Sequence, residues 1–219
     1  MRQLTETEIT QLEDNNCWAE DWTAISVSDD FVPNYYHRVM FYGEIELGAC
    51  DKNIEVSKDF FKHSGINNAT LRNVSVGDDC LIENVGNFIN NYTIGNDCYI
   101  SNVCTMETTE GATYGQGNLI SVLNEVGEGN LMLFSQLNSQ LAAFMVKHSQ
   151  DKELKDNLRR MISEDIDSNI PERGTIGDGV KIVNTKEITN TIVNDECEIN
   201  GASRLSDCTI LRVQMPMCS

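Results

Sequence analysis

The three histidines of this chain are the residues best suited to proton transfer, because histidine titrates near neutral pH. They lie at positions 37, 63 and 148. His63, in FFKHSG, and His148, in MVKHSQ, are the stronger candidates, since His37 precedes the clear repeats described below. Either could instead be an ordinary surface histidine. The acidic residues that could orient a base are Glu107, Glu110 and Glu125.

A basic stretch stands out in a chain whose net charge is -18. Residues 147–160 contain five Lys and Arg residues against three acids. Lys152, Lys155 and Arg159 fall on one face of a predicted helix, where they could bind the phosphates of a cofactor such as coenzyme A. The alternative is a solvated face whose charges are balanced by neighbouring acids.

The cysteines and histidines do not form a recognisable metal motif. No CxxC pair occurs and the histidines are widely separated, so no metal is predicted. The N-terminus MRQLTETEIT has no apolar signal segment. We therefore expect a cytoplasmic protein with mostly reduced cysteines. The acidic charge argues against nucleic-acid and membrane partners, and the apolar run at 141–146 is too short to span a bilayer.

Two nearly identical phrases indicate the element that must position these residues. VGDDCLIENV spans residues 76–85 and IGNDCYISNV spans residues 94–103. Across them an apolar residue recurs every six positions, a period that does not fit an amphipathic helix. It predicts a chain that turns a corner every six residues, with three sides to a coil and coils stacked about 4.8 Å apart. The repeating residues are Val76, Ile82, Phe88, Ile94, Ile100 and Met106.

The period returns elsewhere, and other residue types recur with it. It is kept at Ile54, Phe60 and Ile66, at Tyr114, Ile120, Val126 and Met132, and from Ile176 to Leu211. The period predicts small buried residues at corners of the coil, at Cys80, Cys98 and Cys197. It also predicts that the backbones of neighbouring coils approach closely at Gly77, Gly95, Gly127 and Gly177. Left-handed corners with side-chain ladders are predicted at Asn84, Asn90, Asn96 and Asn102.

These phrases, with IGDGVKI (176–182) and VNDECEI (193–199), resemble the hexapeptide repeats of the left-handed parallel β-helix superfamily. The resemblance implies a mainly β fold, a single-stranded left-handed parallel β-helix, and it supplies the hand of the coil. The whole chain, including METTEGATYGQGNLISVLNEVG, is similar to a family of such proteins from gut Bacteroidetes whose role is not established.

The resemblance implies a function as well as a fold. Members of the superfamily are commonly trimeric acyltransferases that use an acyl thioester and a histidine base. We therefore expect transfer from acyl-coenzyme A to a small amine or hydroxyl acceptor, with His63 or His148 as base. Lys152, Lys155 and Arg159 would hold coenzyme A, and the chain would form a trimer or dimer. The alternative is a non-catalytic β-helix scaffold or binding module. Two other enzymes of the superfamily are not expected. The chain lacks the histidine spacing of a β-helical carbonic anhydrase, and its first forty residues are too few for the α/β domain of a sugar-nucleotide transferase.

The breaks in the period predict the organisation of the chain. Residues 1–38 are expected to be an N-terminal helical cap, with a capping box of Thr5 and Glu8 and with Trp18 and Trp22 packed against the first coil. The β-helix is expected over residues 39–134 and again over 174–212. Residues 135–173 are expected to be an inserted helical hairpin, and residues 213–219 a tail.

Overall fold

The computed structural model describes residues 1–121, 130–148 and 150–212, and most of its elements are β-strands. The helices in this part of the chain are α1 (Glu6–Asp14), α2 (Ser139–Lys147) and α3 (Lys152–Asn169), with short 3-10 turns at Trp22–Ala24 and Pro33–Tyr35. The first strands are β1 (Arg2–Gln3), β2 (Trp18–Ala19), β3 (Ile25–Val27), β4 (Tyr36–Leu47), β5 (Asn53–Ser57), β6 (Phe60–His63), β7 (Gly65–Val76), β8 (Leu81–Glu83) and β9 (Phe88–Ile94). They are followed by β10 (Tyr99–Ser101), β11 (Thr105–Glu107), β12 (Leu119–Ser121), β13 (Asn130–Met132), β14 (Gly174–Ile176), β15 (Lys181–Val183), β16 (Glu187–Val193), β17 (Glu198–Asn200) and β18 (Arg204–Ile210).

Fourteen of the described strands form one large sheet, in which all pairs except β1 with β3 run parallel. Val76 pairs with Ile94 and Ile82 pairs with Ile100, eighteen residues further along the chain. The repeated phrases therefore lie directly against each other, as their spacing predicts. We call each pass of the chain through this sheet a rung and the whole sheet the stack.

Apolar side chains of successive rungs meet in the interior of the stack. Ile82, Ile100 and Ile182 are aligned with one another and fully buried. Two predicted interior positions of the stack are wrong. Ile89 is fully buried while Phe88 is half-buried on the outer face, and Leu211 is 47% exposed while Ile210 pairs with Val193. The corner before β9 is one residue longer than the six-residue period requires, so the inward side chain moves from position 88 to position 89.

The corners confirm several of the predicted residue roles. Cys80, Cys98 and Cys197 are buried, and the Cys80 thiol donates to the carbonyl oxygen of Gly95 over 2.9 Å. A Cβ on Gly77 would lie only 2.7 Å from the Gly95 backbone, so glycine permits the close stacking of these corners. Gly127 and Val126 lie outside the described residues.

Asparagines form the predicted ladders, but two of the four do not occupy left-handed corners. Asn84 and Asn102 have left-handed backbone conformations, with φ of 56° and 53°. The Asn102 side chain donates to Asn184 on the next rung over 3.1 Å. Asn90 and Asn96 do not occupy such corners, because the residues that follow them, Asn91 and Asp97, take the left-handed conformation. The longer corner that moves Phe88 outward also moves Asn90 onto the outer face.

The N-terminal segment contributes strands as well as a helix. The capping box of Thr5 and Glu8 is confirmed at the start of α1. Strands β2 and β3 pair in parallel with β4, so the stack begins within the segment expected to be a helical cap. Trp22 packs against the core as predicted, whereas Trp18 is 49% exposed. Side chains alternate along β2, so Ala19 points inward and Trp18 points outward.

Two segments leave the stack. Strands β5 and β6 form a separate antiparallel hairpin that includes Ile54 and Phe60, both expected on the coil. The second segment, residues 108–173, we call the insertion. It contains β12 and β13, which pair only with each other, followed by α2 and α3. The parallel pairing thus stops at Glu107 rather than continuing to residue 134, and resumes at Gly174. None of the helices in the described ranges is long and apolar enough to cross a membrane.

Candidate functional site

The helices of the insertion each begin at a side-chain cap. The Asn138 side chain accepts a hydrogen bond from the backbone N–H of Leu141 over 2.9 Å, and the Asp151 carboxylate accepts one from the N–H of Leu154 over 3.1 Å. These oxygens satisfy N–H groups that a helix leaves unpaired in its first turn. The short connection between α2 and α3 brings His148, at the end of α2, beside the start of α3.

A small pocket between α2, α3 and β13 gathers three of the predicted site residues. His148, Lys155 and Arg159 all line it, and Met145 and Leu158 provide its apolar wall. Its volume of about 30 Å³ is enough for one or two water molecules. The pocket is therefore too small to enclose a cofactor-sized ligand.

A larger apolar cleft adjoins the pocket, because Met145 and Leu158 line both. Its volume is about 430 Å³, within the range of small-molecule sites. We call the pocket and the cleft together the hairpin cleft. The other residues that line its apolar part are Phe134, Gln136, Leu141, Met161, Ile162 and Asp165. The hairpin cleft thus combines an apolar surface with cationic groups at one end.

His148 is fixed at the C-terminal end of α2 by contacts with its own helix. Its ring packs against Phe144 with centroids 4.6 Å apart, and its backbone N–H donates to the Phe144 carbonyl over 3.1 Å. Within the described ranges, no carboxylate forms an ion pair with His148.

Comparison with known protein families matches residues 1–217 to a family described as Domain of unknown function (DUF4954). The chain belongs to this family. The match includes both the stack and the insertion, so the hairpin cleft lies within the family's domain. None of the curated proteins is similar enough to the chain to match it.

The other candidate residues lie apart from the hairpin cleft lining. His63, on β6, is half-buried and stacks on Tyr35 with ring centroids 3.9 Å apart, and its Nδ1 lies 2.9 Å from the Ser64 carbonyl oxygen. Lys152 is exposed at the first residue of α3, and His37 is exposed on β4. The structure thus brings together His148, Lys155 and Arg159 but not His63.

The predicted orienting acids do not lie against His148 either. Glu107 lines a different cavity on the outer face of the stack, and Glu110 is exposed in the loop after β11. Glu125 and the tail at residues 213–219 lie outside the described residues. In the part of the chain that the structure describes, no cluster of three or more His, Cys, Asp or Glu side chains could hold a metal ion.

Sequence reasoning missed the contribution of β13. Asn130 and Met132 line the small pocket, yet the six-residue period assigned Met132 to the interior of a coil. The antiparallel pairing of Met132 with Leu119 is the reason for the error, because it removes β13 from the stack. The GEGN sequence before Leu131 is a turn signal that could have indicated a local hairpin.

Proposed function

We propose that the stack is a left-handed parallel β-helix of the hexapeptide-repeat superfamily. Parallel pairing between residues about one coil apart supports this proposal. Ile82 pairs with Ile100, eighteen residues later in the chain, and Ile182 pairs with Ile199, seventeen residues later. The left hand comes from the sequence resemblance alone. We also propose a cytoplasmic homo-oligomer, whose subunit number analytical ultracentrifugation would determine.

On that fold we propose an acyltransferase that takes an acyl group from acyl-coenzyme A. One observation carries this proposal: His148, Lys155 and Arg159 line a pocket that shares two apolar residues with the neighbouring cleft. Lys155 and Arg159 would bind the phosphates, and the apolar cleft would hold the acyl chain and the arm that carries the thioester.

The proposed reaction needs one proton acceptor, which we assign to His148. The imidazole takes a proton from the acceptor's amine or hydroxyl while that nitrogen or oxygen attacks the thioester carbonyl carbon. A tetrahedral intermediate forms and collapses, so that the carbon–sulfur bond breaks. The proton on His148 then passes to the departing thiolate, which leaves as the free thiol of coenzyme A.

Binding is tested first, by calorimetric titration with acetyl-coenzyme A at low and moderate salt. We expect salt-sensitive binding that weakens about tenfold or more when Lys155 and Arg159 are both changed to Ala. Lys152→Ala should have a smaller effect, because Lys152 does not line the pocket. Lys186→Ala, an exposed position in the stack, is the matched control and should leave binding unchanged.

Catalysis is tested by release of free thiol from acetyl-coenzyme A with a panel of amine and hydroxyl acceptors. His148→Gln should lower the turnover rate by about 10²- to 10⁴-fold while acetyl-coenzyme A binding persists. His63→Gln should be close to wild type. If His63→Gln abolishes turnover and His148→Gln does not, the assignment of the base is wrong.

The alternative function is a non-catalytic binding module. It is favoured by the exposed apolar side chains beside the hairpin cleft, where Met161 is 62% and Phe144 is 44% exposed, since exposed apolar patches often mark interaction sites. A well-folded sample that neither binds acetyl-coenzyme A nor releases thiol with any acceptor would support this alternative over the transferase.

A further inference from the structure

A second cavity lies on the outer face of the stack, and none of the hairpin cleft residues line it. Its volume is about 380 Å³. Its lining is supplied by Tyr42, Thr70, Arg72, Phe88, Asn90 and Glu107, with Glu20 at one edge. We call it the outer groove.

The register of the stack places the polar residues of the outer groove in one column. Tyr42 pairs with Arg72, Arg72 pairs with Asn90, and Asn90 pairs with Glu107. Each belongs to a different rung, so neighbouring side chains are separated by one strand spacing of about 4.8 Å. A ligand lying along this column would contact several rungs at once.

Asn90 is the residue that points to a ligand. It is only 8% exposed, and its Nδ2 donates to Glu107 Oε1 over 3.2 Å. Its Oδ1 is buried and accepts no hydrogen bond from any described residue. A buried acceptor without a partner is costly. It would be satisfied by a hydrogen-bond donor that enters the outer groove.

Aromatic side chains flank this buried acceptor. Phe88 lies immediately beside Asn90 in the lining, on the outer face to which the lengthened corner directs it. Further along the column, Tyr42 contacts Trp18 with ring centroids 5.3 Å apart and planes inclined by 57°. Trp18 is half exposed but does not itself line the outer groove, so Phe88 is the aromatic ring nearest the buried acceptor.

The charges of the outer groove narrow the class of ligand. Glu20 and Glu107 are acceptors that disfavour an anion, while Arg72 disfavours a cation and supplies donors. A hydroxyl group suits all of them, because it both donates and accepts. A sugar ring also presents a C–H face that can pack on an aromatic ring. We propose that the outer groove binds a neutral saccharide, with one hydroxyl donating to Asn90 Oδ1 and the ring packed against Phe88.

The test is calorimetric titration of the full chain with maltotriose, cellotriose and N-acetylchitotriose, with putrescine as a cationic probe. We expect at least one trisaccharide to bind and putrescine not to bind. Asn90→Val should weaken that saccharide about tenfold, since it removes the acceptor. The variant also removes the hydrogen bond from Asn90 to Glu107, so a melting curve is recorded to verify that it stays folded. Phe88→Ala should also weaken binding. Phe60→Ala, an exposed aromatic on the β5–β6 hairpin, is the control.

Each other outcome overturns the proposal. Absence of trisaccharide binding, or binding that Asn90→Val and Phe88→Ala both leave unchanged, would show that the outer groove is not a saccharide site. Binding of putrescine in place of the sugars would identify an amine site. The test is independent of the proposed acyltransferase activity, because it requires neither acetyl-coenzyme A nor His148.

Discussion

The stack and the insertion are stabilised in different ways. In the stack, every rung buries apolar side chains against the rungs before and after it, and residues such as Ile82 and Ile100 are completely enclosed. In the insertion, α2 has no buried residue, and α3 buries only Ile162 and Ile166. The main buried cluster in the described ranges contains no residue from 108–173. Repetition therefore supplies the stability of the stack, whereas the insertion adds surface and few buried contacts.

The stack accommodates the insertion because the chain leaves and returns at one corner. Glu107 pairs with Asn90 and Gly174 pairs with Tyr92, two residues further along the same strand. The rungs on either side keep their register, since Met106 pairs directly with Ile188. A long excursion between two close points costs little more closure entropy than a short one. A new site can thus be added without disturbing the parallel sheet.

Hydrogen bonds near both ends of the insertion hold it against the stack, including those from the Thr109 and Arg173 side chains. The Tyr114 hydroxyl donates to the Pro171 carbonyl over 3.1 Å, which joins the beginning of the insertion to its end. The Thr209 hydroxyl on the last strand donates to the Tyr114 carbonyl over 3.0 Å. Tyr114 is itself buried, so its side chain adds packing to these bonds.

The largest expected effect comes from removing a side chain from the interior of the stack. Ile100→Ala should lower the free energy of unfolding by about 2–5 kcal/mol, because it leaves a cavity between two rungs. Met161→Ala, on an exposed face of α3, should change it by less than about 0.5 kcal/mol. Urea denaturation of both variants measures the difference. Equal effects would mean that the stack is no more tightly packed than the insertion.

The regular features of the stack could be predicted from sequence because every rung buries apolar residues at equivalent positions. The pairing of Val76 with Ile94 and the burial of Cys80 and Cys98 follow directly from the period. Phe88 could not be placed, because one extra residue in a corner reverses which side chain points inward, and corner length leaves no signal in apolar spacing.

The candidate site could be predicted only in part, for a related reason. Helical spacing placed Lys155 and Arg159 on one face, and both line the small pocket. The contribution of Met132 depends on an antiparallel hairpin whose apolar residues happen to match the six-residue period. Asn90 depends on the corner before β9, so the outer groove could not be predicted at all.

Two aspartates allow a second comparison, because each accepts hydrogen bonds from backbone N–H groups, one in the stack and one in the insertion. Asp79, at a corner of the stack, is 7% exposed and accepts hydrogen bonds from the backbone N–H groups of Asp51 and Lys52. Burial alone would raise its pKa, but these bonds and the Lys52 ammonium hold the pKa below its usual value. Asp79→Ala should cost about 1–3 kcal/mol in denaturant unfolding, since two N–H groups lose their partner. Asp79→Asn keeps the acceptor and should recover most of that loss.

The corresponding change in the insertion should be smaller and local. Asp151→Ala removes the cap of α3, where one exposed oxygen accepts the N–H of Leu154. The expected cost is about 1 kcal/mol, and it should fall on α3 rather than on the stack. Amide hydrogen exchange should show faster exchange at the start of α3 with unchanged protection of β8 and β10. Loss of protection in those strands would contradict the separation of the two regions.

The smallest effect is expected at α1, the helix that packs on the stack through the fully buried Leu12. The hydrogen-bonded ion pair with Arg2 lowers the pKa of Glu8 to about 2 from a usual value of 4.5. Because the folded pKa is depressed, Glu8 stabilises the protein fully above pH 4.5, and this contribution is lost as the pH falls toward 2. Glu8→Gln should therefore cost up to about 1 kcal/mol at pH 7. The melting temperatures of the variant and wild type should converge near pH 2.

Glu6→Gln, exposed in the same turn, controls for the general effect of removing an acid. A difference at Glu8 that stays constant from pH 7 to pH 2 would show that the charge of this pair does not stabilise the end of the stack.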